Sequence, residues 1–371
     1  ARCDMKPTPW AALALVLGAL CAPAVLAQKT SDTTSPAETT VAITSLGDPW
    51  ATRYADDAWR YARNIWDMRF HDGRLYVGGG NSSNKGPASN AGPVPIMAYD
   101  FQRMTWVAEG RVDDEQIDRF VLMDGELAIP GHDPRQSWQW GNLYLRNTQG
   151  QWRKQRRIPD GVHTYDVVSH AGRWFAALGT AKGGAIVEST NRGADWRTTY
   201  TAPVRVYSLV QVGDSLFAFP GLRIRNHKVV DALLQWRNGQ WQVLPESQYQ
   251  RWLPDTTIQT QGVLKLLSAE RFGTQVAYIV AYTRNDHQSA PLAAYVGGVD
   301  TEGQWQAKRL NWSDGFAPWD VVVRDGHIHW LLNRVTPHGA DVQIWRSPEQ
   351  QPMQNRLLLS FSTPALARAL E

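Results

Sequence analysis

From Ile65 to the C-terminal region the chain is written in short β-rich apolar runs broken by glycine-containing polar turns, and helical periodicity nearly disappears. The runs align on one hairpin: IWDMRFHDGRLYVGGG at 65 to 80, DRFVLMDGELAIPG at 118 to 131, YDVVSHAGRWFAALG at 165 to 179 and VYSLVQVGDSLFAFPG at 206 to 221. Two further copies are LKLLSAERFGTQVAYIVAY at 264 to 282, read with a longer turn, and WDVVVRDGHIHWLLN at 319 to 333. The turn glycines Gly73, Gly125, Gly172, Gly213, Gly273 and Gly326 stand 52, 47, 41, 60 and 53 residues apart. A third run and, after a polar turn, a fourth follow each hairpin. In five units the fourth run starts at a tryptophan: Trp106, Trp152, Trp196, Trp241 and Trp305.

Four strands repeated six times at a period near fifty predict an all-β chain folded as a six-bladed β-propeller. A seventh blade would require the segment before Ile65 to hide a degenerate unit. That segment begins with a basic Lys6, an apolar run from Trp10 to Leu20 and Val25-Leu26-Ala27, the pattern of a secretory signal peptide cleaved after Ala27, with residues 1 to 4 an upstream extension. Leu20 stands before Cys21 where a lipoprotein signal takes a small residue, so secretion is preferred to lipid anchoring. The Ser/Thr-rich stretch 28 to 48 reads as a flexible leader whose Val41 to Leu46 portion could add an edge strand. Trp50 to Arg63 offers one short helix, and 49 to 371 forms a single propeller domain. The expected location is periplasmic or extracellular, as a monomer.

Composition narrows the chemistry. Of 371 residues, 43% are hydrophobic and 20% charged, enough apolar material for a core. The net charge of +3 comes without a Lys/Arg block, so nucleic acid is not an expected partner, and no later stretch is long enough to span a bilayer. Both cysteines, Cys3 and Cys21, precede Gln28, which removes thiol chemistry from the mature chain. No cofactor fingerprint appears. His327-x-His329 puts two imidazoles on one side of a strand, a pairing read as structural, and no metal is expected.

The turn Ser189-Thr190-Asn191-Arg192-Gly193-Ala194-Asp195-Trp196 resembles the Asp-box, S-x-D-x-G-x-x-W, of sialidases and related propellers built from BNR repeats, with Asn191 in the Asp position. NGQW at 238 to 241 and EGQW at 302 to 305 are fainter relatives. The resemblance implies a sialidase-like propeller architecture. It does not carry the sialidase reaction: the only match to that family's Arg-Ile-Pro element is Arg157-Ile158-Pro159, in the fourth strand of unit two.

Because propeller strands alternate direction, first-strand starts and the loops between strands two and three share one face. Counting back six positions from each turn glycine places Asp67, Arg119, Asp166 and Asp320 at one level around the channel, with Ser208 and Lys265 approximately there. These charges either form a polar cup for a ligand or pair with one another and plug the channel. Trp66, Tyr165, Tyr207 and Trp319 stand one residue before the ring. Loops on the same face add His132, Asp133, Arg135, Trp138 and Trp140, then Arg223, Arg225 and His227, and from the last two units Arg284, Asp286, His287, Arg334 and His338. His163 stands at the start of unit three, and Trp252 and Trp312 are assigned to connections on this face. The loop 78 to 94 reads as a rim or lid. Aromatic faces stack on sugar rings, so a carbohydrate is the expected ligand. If the chain is an enzyme, Asp67, Asp166 and Asp320 offer carboxylate pairs for glycoside hydrolysis. A β-elimination would instead use His163, Tyr165 or Tyr207 as base, with Arg119 or Arg205 neutralising a uronate. The other class is a non-catalytic envelope propeller holding a glycan, peptide or protein on the same surface.

Overall fold

The computed structural model describes residues 43–83, 88–284, 289–313 and 315–371, so the signal peptide and most of the leader lie outside the described residues. Six antiparallel sheets follow one another along the chain, each contributing a four-stranded blade. Their first strands are Met68–His71, Val121–Met123, His163–His170, Val206–Val212, Gln261–Phe272 and Ala317–Arg324. Residues 43–67 add no strand; they contain the short 3-10 helix Asp57–Arg63. The expected edge strand at Val41 to Leu46 is therefore absent over its described part, where Leu46 instead offers its carbonyl to Trp106 Nε1 at 2.7 Å. Among the described residues no helix is long and apolar enough to cross a membrane.

The hairpins turn where the glycines predict. Asp72-Gly73, Asp124-Gly125, Ala171-Gly172 and Asp325-Gly326 all take positive φ at both positions, the two-residue turn whose twist matches that of the flanking strands. The fifth hairpin also turns tightly, at Gly273-Thr274, so its extra residues belong to long strands and not to a longer turn. Around Ser189 the side-chain oxygen accepts the Gly193 N–H at 2.8 Å, Asn191 Oδ1 accepts the Asp195 N–H at 2.9 Å, and Gly193 takes φ +80°. EGQW belongs to a comparable wide turn in which Asp300 Oδ1 accepts the Gln304 N–H at 2.8 Å. NGQW does not, because Asn238-Gly239 closes a two-residue hairpin.

Each blade packs apolar second- and third-strand residues against its neighbours, and the recurrent tryptophans fasten those contacts. Trp152 Nε1 donates to Glu109 of blade one at 3.1 Å, Trp174 Nε1 to Asp124 of blade two at 2.7 Å, and Trp241 Nε1 to Thr199 of blade three at 3.2 Å. Such a partner offsets the cost of taking the indole N–H out of water. Trp305 instead stacks on Trp252 with ring centroids 3.6 Å apart. Trp252, with no exposed surface, and Trp312, packed on Trp330, are thus core residues and not ligand contacts on the channel face.

The ring is held at its centre by side chains from the first strands. Asp67 Oδ2 accepts the N–H of Phe120 at 2.6 Å, and Asp166 Oδ2 accepts the N–H of Leu209 at 2.8 Å, each reaching the first strand, or its start, of the next blade. Asp320 Oδ2 accepts the N–H of Leu370 at 2.7 Å, in the segment 364–371 that lies at the seam between blades six and one. At that seam Glu371 Oε1 also accepts the N–H of Phe70 at 2.8 Å. A β-bulge in the first strands of blades three to six sets these side chains: Asp166, Ser208, Ser268 and Asp320 are the equivalent positions after it. Blade five therefore contributes Ser268 to the ring. Lys265, expected only approximately at that level, precedes the bulge and stands nearer the mouth.

Deep placement raises Asp67 from an ordinary value near 3.8 to about 8 and Asp320 to about 7, in both cases chiefly because burial penalises the charged form. A carboxyl whose folded value is raised holds its proton longer in the folded state. Its contribution to stability is full below the unfolded value and is lost as pH rises from about 4 towards 8. Asp67→Asn keeps an oxygen acceptor for Phe120 without a titrating proton. The decline in melting temperature between pH 5 and pH 8 is expected to be smaller in Asp67→Asn than in the parent, measured by thermal melts across that range.

Candidate functional site

Short strand additions build the mouth of the channel on the predicted face. The loop between strands two and three of blade two forms His132–Pro134, which pairs with the first strand of blade three so that His132 and His163 are Cα partners. The equivalent loop of blade four forms Leu222–Arg225 and pairs with the first strand of blade five. Both begin at a Pro-Gly pair, Pro130-Gly131 and Pro220-Gly221, that releases the second strand from its own sheet. The result places residues from blades two to five side by side.

His132 and His163 lie 4.6 Å apart between ring centroids; His163 stacks on Tyr165 at 5.2 Å, and Tyr165 meets Tyr207 at 4.6 Å. Arg205 Nη1 donates to the Tyr165 hydroxyl at 2.6 Å, and the Lys265 ammonium lies 5.4 Å from the centre of the Tyr207 ring. Gly179 makes this packing possible: a Cβ there would stand 2.8 Å from Tyr165 Cε2 and 3.1 Å from His163 Cδ2. Burial and the neighbouring His132 and Arg205 push His163 down to about 2, while burial lowers Lys265 and raises Tyr165 well above the usual phenol value. Among the described residues no carboxylate oxygen stands within 4.0 Å of the Arg205 or Lys265 charged groups, although the Asp118 carboxylate is near enough to act on Lys265.

The other expected residues divide. Arg119 pairs with Asp166 at 2.8 Å within the ring, so Asp67, Asp166 and Asp320 are engaged in holding the blades together. Arg223 is bound twice by Asp231, at 2.8 and 2.7 Å, and Arg334 by Asp341 at 2.7 Å. Trp66 donates to Gly80 at 2.8 Å and Trp319 packs under Arg368, away from the His163 cluster. Arg135, Trp138 and Trp140 are exposed on the blade-two loop, with Trp138 at 56% and Trp140 at 39%. Arg284 is exposed, and Asp286 and His287 lie outside the described residues. The loop 78 to 94 is tied to the neighbouring connection through the Gly80–Gln116 bridge. Sequence reasoning passed over Asp118, whose carboxylate is 3.9 Å from His132 Nδ1, and Ser268; the Asp-Arg doublet preceding Phe120 was the available sign of the first.

No protein-family model and no curated protein matches the chain. Among solved structures it is similar to hydrazine synthase of Kuenenia stuttgartiensis, at 12% identity over 81% of this chain and 86% of that one with a TM-score of 0.48. It is also similar to an ulvan lyase bound to a glucuronate–sulfated rhamnose unit, at 11% identity over 80% and 83% with a TM-score of 0.44. The xyloglucanase of Xanthomonas campestris gives 13% identity over 80% of this chain and 45% of that one, TM-score 0.47. These likenesses concern propeller architecture alone.

Proposed function

We propose that the chain is an exported propeller whose channel mouth binds an acidic saccharide and opens it by β-elimination. The observation that carries this reading is the pair of basic side chains, Arg205 and Lys265, set against the rings of Tyr165 and Tyr207 with no carboxylate of the described residues within ion-pair distance. A uronate suits that arrangement, its carboxylate meeting the cations at the mouth. Elimination needs the carboxylate charge withdrawn so that the proton on the adjacent carbon can leave. Its electron pair then forms the double bond as the glycosidic C–O bond breaks, and a proton passes to the departing oxygen. In this reading Tyr207 takes the proton from the adjacent carbon, and Tyr165, whose hydroxyl is kept protonated by burial and held by Arg205, gives one to the departing oxygen. Hydrolysis is less well supported, because Asp67, Asp166 and Asp320 already accept backbone N–H groups. Membership of the Asp-box propellers remains part of the proposal, supported by the hydrogen bonds around Ser189.

The test is incubation of the secreted protein with polyuronates and with neutral glucans, following the ultraviolet absorbance of the unsaturated uronate and, separately, new reducing ends. Absorbance rising with polyuronate only supports elimination. Reducing ends without absorbance would replace it with hydrolysis, and binding without any product would leave a non-catalytic lectin-like role.

A further inference from the structure

Beside the two tyrosines stand three side chains that neither the ring nor the cation pair employs. His132 and Asp133 arrive on the looped strand His132–Pro134, and His163 opens the first strand of blade three. All are more than nine-tenths buried, at 7%, 6% and 7% exposure respectively. Asp133 takes φ +57°, the left-handed conformation that a short polar side chain tolerates. Its carboxylate lies between the imidazoles: Oδ1 is 3.5 Å from His163 Nδ1 and Oδ2 is 4.0 Å from His132 Nε2. Neither His163 Nδ1 nor His132 Nδ1 has a hydrogen-bond partner, although both are buried, and such orphaned polar atoms are costly.

We propose that His132, Asp133 and His163 bind a divalent transition-metal ion of the zinc type. Their donor atoms all lie within 4.8 Å of one another. Two ligands at 2.0–2.1 Å from a tetrahedral ion are about 3.3 Å apart. The His163–Asp133 spacing of 3.5 Å is close to that geometry, and His132, 4.0 Å from the second carboxylate oxygen, closes in on binding the ion. Two imidazole nitrogens and one carboxylate are a donor set that such ions favour, and three protein ligands leave a fourth position open towards the mouth. His132 ligates through Nε2, which turns its Nδ1–H towards Asp118 Oδ2, now 3.9 Å away, while Ser82 hydrogen-bonds the Asp133 carboxylate. That is the supporting arrangement by which outer carboxylates and hydroxyls fix metal ligands. A simple Asp–His hydrogen bond would satisfy one imidazole and leave the other orphaned.

A dication here also deepens the acidic-saccharide reading, on which this clause alone rests: the open position would take an oxygen of the same ligand that Arg205 and Lys265 attract, so ion and saccharide should bind cooperatively.

The experiment uses the full secreted chain stripped with chelator, dialysed against zinc chloride and analysed by elemental mass spectrometry, without saccharide. About one zinc per chain and a zinc-dependent rise in melting temperature are expected. Both should be lost in His163→Gln, while Asp118→Asn should weaken zinc binding about 10- to 100-fold with its circular dichroism unchanged. Should His163→Gln fail to fold, Asp118→Asn decides the matter. Zinc uptake by the parent no greater than by a correctly folded His163→Gln, or unaltered affinity in Asp118→Asn, overturns the assignment. Zinc bound normally with no affinity for any uronate would overturn the saccharide reading and leave the metal site standing.

Discussion

Asp166→Ala is expected to lower folding stability by about 3–5 kcal/mol, the range for breaking a buried charged pair and leaving its partner uncompensated. Asp166 is 6% exposed. It accepts the N–H groups of Val167 at 3.0 Å and Leu209 at 2.8 Å and pairs with Arg119 at 2.8 Å. Removing it strands two backbone donors and a guanidinium facing the channel. Guanidinium unfolding should show a lower midpoint with an unchanged slope. Asp166→Asn, which keeps an acceptor for Leu209 and loses only the charge, should fall between. A catalytic Asp166 would behave in the opposite way, with both variants as stable as the parent and inactive.

Tyr165→Phe is expected to reduce turnover of a polyuronate by about 10²- to 10⁴-fold, the usual contribution of one positioned proton-transfer group. The ring packing against His163 and Tyr207 is retained by phenylalanine, so the melting temperature should change little. Arg205 loses its hydroxyl partner yet keeps its charge at the mouth, so ligand affinity should fall by less than turnover. Equal losses in affinity and turnover would show that Tyr165 only binds; unchanged turnover would remove it from the chemistry.

The blades were legible in the sequence because turn glycines and fourth-strand tryptophans repeat, and both have physical causes that recur with the blade. Gly125 and Gly172 sit where positive φ is required, and Trp152 and Trp241 sit where an indole can reach the preceding blade. Ser268 escapes the count because Gly273 is the first residue of its two-residue turn whereas Gly172 and Gly326 are the second, so six positions back from Gly273 falls on Leu267 and not on the ring residue. Asp67, Asp166 and Asp320 were found at one level, but residue type does not reveal that each would accept a backbone N–H across the channel. The pairing of His132 with His163 was equally hidden, since three-residue strands between distant segments leave no periodic mark. Arg223 and Arg334 looked like ligand contacts for want of knowing that Asp231 and Asp341 fold back onto them.

Anion recognition by Arg205 and Lys265 is tested most directly by calorimetric titration of the parent and of Arg205→Ala/Lys265→Ala with an oligouronate and a neutral oligosaccharide of equal length. The expected result is binding of the oligouronate by the parent, weakened by added salt, and at least about tenfold lower affinity in the double variant, since each charge-assisted hydrogen bond contributes about 1.5–3 kcal/mol. Equal affinity for charged and neutral sugars, or no loss in the double variant, would contradict it.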